Sequence, residues 1–262
     1  MLDRSRWFQW WAWLIAVILV VGLIWLSFWS VKQAQPSGGS TSGSSSNPKI
    51  AWGIDTTSKI NSSFYQCVSS NYGDPDFVGR YMTTKSGVYS GLSKSEVTYL
   101  HDKKIKILPI YNQFTNAKGS KQGTDVAQKA INRAKDLGIP KGTVIAADIE
   151  KGDPINSAFI ISWTKTMEDA GYKAGLYGNL PNSPLKTAYT DAENQSKAVK
   201  NDLILWSNQP SGDTTTKSKA PTSFKADSPN QSQTFVWQYG LEGKKCNVDT
   251  DLMKGNLLNN LW

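Results

Sequence analysis

The sequence predicts an α/β protein whose main domain is an eight-stranded barrel of the (β/α)8, or TIM, type. Three observations predict it. Apolar extended runs alternate with amphipathic segments from residue 49 to the C-terminus. Eight runs read as strands and at least four of the segments between them read as helices, an order that points to a parallel β/α architecture. Polar and aromatic side chains recur at the ends of the runs, where a barrel of this type gathers its active site. The helical signals thin out after the fifth strand, so the last third is expected to be irregular.

One helix is expected to precede the barrel. Residues 7–29, WFQWWAWLIAVILVVGLIWLSFW, carry no charge. At about 1.5 Å per residue a helix of that length spans a bilayer core. The run is longer than the roughly 7–15 apolar residues of a cleaved signal peptide. The following SVKQAQ is a poor cleavage site, so the segment reads as an uncleaved signal-anchor. Trp7, Trp10 and Trp11 mark one end and Trp25 and Trp29 the other, as an interfacial aromatic belt does. Arg4 and Arg6 precede the span and place the N-terminus in the cytoplasm. Residues 1–34 are thus a cytoplasmic stub and anchor. Residues 35–48 are a Gly/Ser-rich linker, which forms no core. Residues 49–262 form the barrel domain, expected at the cell membrane with the barrel on the extracellular side.

Within that domain KIAWGIDT is the first strand and INSSFYQCVSS the helix after it. FVGRYMT is the second strand. LSKSEVTYLHDK opens with Ser93 and Glu96 at capping-box spacing. KILPIYNQF is the third strand. TDVAQKAINRAKDLG puts Val126, Ala130, Ile131 and Ala134 on one helical face, with a cap at Thr124 and a stop at Gly138. TVIAADIE is the fourth strand, SAFIISWTKTMEDAG a helix and KAGLYGN the fifth strand. DLILWSNQ, TFVWQYG and NVDTDLM complete the set.

Composition narrows the function. Arg4, Arg6, Lys32 and Lys49 against Asp3 give residues 1–49 a charge of +3, leaving +5 of the chain's +8 on the barrel. Those charges alternate in sign, unlike the clustered basic stripe of a nucleic-acid binder. His101 is the single histidine and no CxxC occurs, which argues against a zinc site, HExxH chemistry and a Ser-His-Asp triad. We expect no metal, no cofactor, no nucleic-acid partner and a monomer.

The strand ends carry the candidate site. Asp55 ends strand one. Arg80 and Tyr81 lie in strand two, and Tyr111 and Asn112 end strand three. Asp148 and Glu150 end strand four. Tyr177 and Asn179 end strand five, Trp206 and Asn208 strand six. Trp237, Gln238 and Tyr239 end strand seven, and Asp249 and Asp251 lie in strand eight. Residues two apart on a strand share a face, so Asp148 and Glu150 should point the same way, about 6.5–7 Å apart. Two such carboxylates repel, and one resists ionisation. A glycosidase exploits this, because it needs one protonated carboxylic acid and one carboxylate. Aromatic residues beside carboxylates also suit sugar rings. Arg80, Tyr111, Asn112, Tyr177, Asn179, Trp206, Trp237, Gln238 and Tyr239 are the expected substrate-binding set.

The motifs WGIDTT, GRYMT, AADIE, GYKAGLYGN and FVWQYG followed by NVDTDL resemble, in that order, the glycoside hydrolase-like barrel domain of secreted Gram-positive and actinobacterial proteins. That group is similar to the family 25 glycoside hydrolases, muramidases with an irregular barrel. The resemblance covers nearly all of residues 50–262. It implies an acidic set of Asp55, Asp148, Glu150 and Asp249, with Glu150 as general acid and Asp148 stabilising the oxocarbenium-like centre. Asp55 and Asp249 would hold substrate and tune the acids. The chain departs from the muramidases at RYMTTKSG, at Tyr111–Asn112 and at VDTD. The expected function is hydrolysis of cell-wall glycan, peptidoglycan or a related polysaccharide. The alternative is a module that grips such glycan on the same barrel without cutting it.

Cys67 and Cys246 are the two cysteines. Cys67 lies in the helix after strand one and Cys246 just before strand eight, and these strands are neighbours in a closed barrel. A disulfide between them would staple the seam; two buried free thiols are the alternative.

Overall fold

The structure is a computed structural model that describes residues 49–262. The expected anchor (residues 1–34) and linker (residues 35–48) lie outside the described residues. Among the described residues no helix is long and apolar enough to cross a membrane.

Eight strands close into a barrel in sequence order. They are β1 (Ile50–Thr56), β2 (Phe77–Tyr81), β3 (Lys106–Tyr111), β4 (Val144–Asp148), β5 (Lys173–Gly178), β6 (Ile204–Asp213), β7 (Thr234–Leu241) and β8 (Asp249–Lys254). Helices α1 (Ser62–Asn71), α2 (Lys94–Asp102), α3 (Ser120–Leu137) and α4 (Ser157–Asp169) separate the first five strands, and α5 (Pro184–Gln195) and α6 (Lys197–Asp202) lead to β6. From β1 to β7 each strand is parallel to the next.

The irregularity expected in the last third of the barrel appears at its last strand. β8 runs antiparallel to both β7 and β1. The reason is chain length: a parallel crossover needs about a dozen residues or more, and the connection 242–248 is too short for one. Asp249, at the start of β8, therefore reaches the same barrel end as the finishing residues of the other strands.

Side chains alternate between two apolar layers, as strand geometry dictates. Ala51, Phe77, Leu108, Ile110, Val144, Ala146, Val236 and Met253 fill the barrel. Ile54, Val78, Ile107, Ile145 and Leu176 pack outward in the layer that also takes the helices. The helices start where short polar side chains accept their free amides: Asn61 from Phe64, Ser93 from Glu96 and Asn156 from Phe159. α3 begins at Ser120, a turn before the expected cap at Thr124, and stops at Gly138, whose φ is 83°. The extra turn packs on α4 through Gly123, where a Cβ would come within 2.5 Å of the Phe159 carbonyl oxygen. Cys67 of α1 and Cys246 of the 242–248 connection form a disulfide.

Candidate active site

The mouth of the barrel at the C-terminal ends of β1 to β7 collects acids from both ends of the chain. Asp55 of β1 stands opposite Asp249 of β8. Gln238 of β7 joins them: its Nε2 donates to Asp55 Oδ2 at 2.6 Å and to Asp249 Oδ2 at 3.2 Å. Its Oε1 accepts from the Tyr177 hydroxyl at 2.8 Å, and Asn208 Nδ2 donates to that hydroxyl at 2.7 Å. This chain fixes the orientation of the Gln238 amide, which must donate to the carboxylates and accept from the phenol. The backbone amide of Glu242 donates to Asp249 Oδ1 at 2.7 Å.

Burial governs the protonation of these acids. It pushes Asp55 up to about 7, helped by the negative charge of Asp249 and opposed by the bond from Gln238. Asp249 is raised by burial and held back by the Glu242 amide. Asp251 lies one pleat deeper, fully buried. The Trp206 indole donates to its Oδ1 at 2.9 Å, and burial followed by the nearby Asp55 raises its pKa well above the usual carboxylate range. Gly79 makes this packing possible. A Cβ there would lie 2.7 Å from both the Asp55 Cβ and the Trp206 ring.

The second acidic pair sits across the mouth. β4 ends at Asp148, so Glu150 lies beyond the strand and does not share its pleat as expected. Asp148 is buried and Glu150 is exposed. The two carboxyl groups nonetheless lie within hydrogen-bonding reach, and Asp148 is raised by burial first and by the Glu150 charge second. The Tyr81 hydroxyl donates to Asp148 Oδ2 at 3.3 Å. Burial, then the charge of Asp148, raises the Tyr81 phenol, so it stays a donor. The Tyr89 ring stacks on Tyr81 with centroids 4.5 Å apart, and its hydroxyl donates to Asn112 at 2.6 Å.

A cleft of about 680 Å³ opens beside this pair. Of the four expected acids Glu150 alone lines it, with Tyr177, Asn179, Asn208, Lys118 and Asp153 among its other walls. No group of His, Cys, Asp and Glu among the described residues is arranged to hold a metal ion.

Five of the expected substrate-binding residues lie elsewhere. Arg80 is fully buried on the outer face of β2, where its Nε donates to Glu96 at 2.7 Å and its guanidinium also reaches the carbonyl oxygens of Thr56 and Ser90. Tyr111 packs in the layer between barrel and helices. Trp237 and Tyr239 point into that outer layer too, where the Trp237 indole donates to the Gln209 carbonyl and the Tyr239 hydroxyl accepts from Trp52. Trp206 is buried inside the barrel beneath the acids. Asn112, Tyr177, Asn179 and Gln238 do reach the mouth. Tyr81, Asn208 and Asp251, noted at the strand ends but left out of the expected substrate-binding set, also belong to the site, and Tyr89 was not foreseen. Tyr89 lies in the loop after β2, where no strand-end pattern points to it.

Residues 72–253 match the model of the Rv2525c-like, glycoside hydrolase-like domain. The chain belongs to this family. The glycoside hydrolase-like match starts after β1, so Asp55 lies outside it while Asp148, Glu150, Asp249 and Asp251 lie within. A crystal structure of an uncharacterized B. stearothermophilus protein is similar, with 34% identity, a TM-score of 0.78, and coverage of 81% of this chain and 100% of that one. The catalytic domain of endolysin Ply40, from bacteriophage P40 of Listeria monocytogenes, shares the fold at 17% identity and TM-score 0.53, covering 80% of this chain and 96% of that one. The Clostridium perfringens spore cortex lytic enzyme SleM shares it at 15% identity and TM-score 0.51, over 79% of this chain and 68% of that one. No curated protein matches the sequence.

Proposed function

We propose that this protein is a glycoside hydrolase, anchored by its N-terminal segment with the barrel outside the cell, that cuts cell-wall glycan such as peptidoglycan. The observation that carries the reading is the Asp148–Glu150 pair: one buried carboxyl group in contact with one exposed carboxyl group at the edge of a cleft. Burial and the neighbouring Glu150 charge keep the proton on Asp148. Glu150 faces the cleft, so it takes that proton from Asp148 and passes it to the leaving glycosidic oxygen. The negative charge left on the pair then offsets the positive charge growing on the sugar ring. Water adds to the anomeric carbon, and its released proton returns to the pair. Asp55 and Asp249 accept sugar hydroxyls, Tyr177, Asn179 and Asn208 position the ring, and the buried Gln238 holds the two aspartates in place. The family match, the fold shared with an endolysin and a spore cortex lytic enzyme, and a disulfide suited to an oxidising compartment support the assignment.

The test is incubation of the purified protein with peptidoglycan and assay for new reducing ends. Release of reducing ends that stops in Glu150→Gln supports hydrolysis. Sedimentation of the protein with peptidoglycan and no new ends supports the glycan-gripping module instead.

A further inference from the structure

Asp251 is a carboxyl group with nowhere to put a charge. It is fully buried on β8, one pleat below Asp249. Its register partners are Gly53 on β1 and Gln238 on β7. Gly53 has no side chain to offer. Gln238 Nε2 has two protons, and both are taken, one by Asp55 and one by Asp249. The Trp206 indole has one proton, and it goes to Oδ1. Oδ2 is left buried without any donor. The polar group that does face Asp251 within hydrogen-bonding reach is the Asp55 carboxylate, and Asp249 is the other charge nearby. An ionised Asp251 would bury a bare oxygen against a second carboxylate, which costs far more than keeping the proton. A protonated Oδ2 turns the same atom into a donor, and Asp55 accepts.

We propose that Asp251 is a permanently neutral carboxylic acid that acts as a positioning residue, donating its proton in a hydrogen bond to Asp55. The bond fixes the rotamer of Asp55 and leaves the negative charge of the pair on the member nearer the mouth. Trp206 anchors the arrangement from the opposite wall, across the gap left by Gly79. The catalytic consequence rests on the hydrolase reading above, in which Asp55 holds the sugar. The protonation state does not rest on it.

The test therefore has two arms on the full-length chain. In the first, carbon-13 NMR follows the aspartate side-chain carboxyls through neutral pH. We expect one resonance at the position of a protonated acid that disappears in Asp251→Asn. An Asp251 resonance at the ionised position would overturn the proposal whether or not the protein is an enzyme. In the second, glycan cleavage is compared in Asp251→Asn and Asp251→Ala. Asparagine supplies an N–H to Asp55 and an oxygen to Trp206, and alanine supplies neither. Loss of a hydrogen bond to a charged group predicts a kcat about tenfold to a hundredfold lower for the alanine variant than for the asparagine variant. The acidic limb of its pH–rate profile should also move. Equal, severe loss in both folded variants would mean that the ionised carboxylate itself is needed, which also overturns the proposal.

Discussion

Asp55 and Asp249 face each other across the antiparallel seam between β1 and β8, and a single amide, Gln238, donates to both. One neutral side chain thus holds two like-charged groups at the point where the barrel closes. The pairing makes stability depend on pH. Burial raises Asp55 from 3.8 to about 7, so the folded chain holds this proton more tightly than the unfolded chain does. The stabilisation is complete below the unfolded value and is lost as pH rises through about 7. Asp148 and Asp251 shift the same way. The protein should unfold at a lower denaturant concentration at pH 8 than at pH 5, with Asp55 alone contributing up to about 2.5 kcal/mol over that interval. Asp55→Asn should flatten that dependence. Greater stability at pH 8 than at pH 5 would contradict the burial of these acids.

Glu150→Gln should lower glycan cleavage by about 10²–10⁴-fold, because the amide fills the same space but cannot give up a proton. Glu150 is exposed, so the melting temperature should hardly change. Full activity in the folded variant would remove Glu150 from the role of acid.

Arg80 behaves as a structural residue. Arg80→Ala leaves Glu96 charged and fully buried, and breaking such a pair costs about 3–5 kcal/mol. Urea unfolding should show the loss. Whatever fraction remains folded should keep the wild-type KM, because Arg80 lies on the outer face of β2. A raised KM with unchanged stability would restore Arg80 to the substrate site.

Replacing Cys67 and Cys246 by serine should destabilise the barrel by up to about 5 kcal/mol, given the sequence separation of 179 residues that the bridge spans. Intact mass after alkylation without reductant checks the bridge directly. Two added alkyl groups would show free thiols.

Much of the barrel was legible in the sequence because each strand is a short apolar run with a polar end. All eight runs became strands, and AADIE and NVDTD brought Asp148, Glu150 and Asp249 to one mouth. What the runs do not display is which neighbour points inward. Arg80 and Tyr81 are adjacent, as are Trp237 and Gln238, so in each pair one residue must face the helices. The expected set kept Arg80, Trp237 and Tyr239, which face outward. It omitted Tyr81, which reaches Asp148. Trp206 fooled composition in a different way: it shares a face with Asn208, but two residues down the strand is deep enough to be core. The reversal of β8 was visible only as a short connection, and a count of residues between strands would have caught it.

The bridging of Asp55 to Asp249 has a consequence for the half-made chain. One acid comes from the first strand of the barrel and its partner from the last, while Asp148 and Glu150 come from the middle. No stretch of chain that lacks either end owns a full set. On the hydrolase reading proposed above, a nascent or clipped molecule would leave glycan intact, because the acidic set is complete only once the last strand has been laid beside the first.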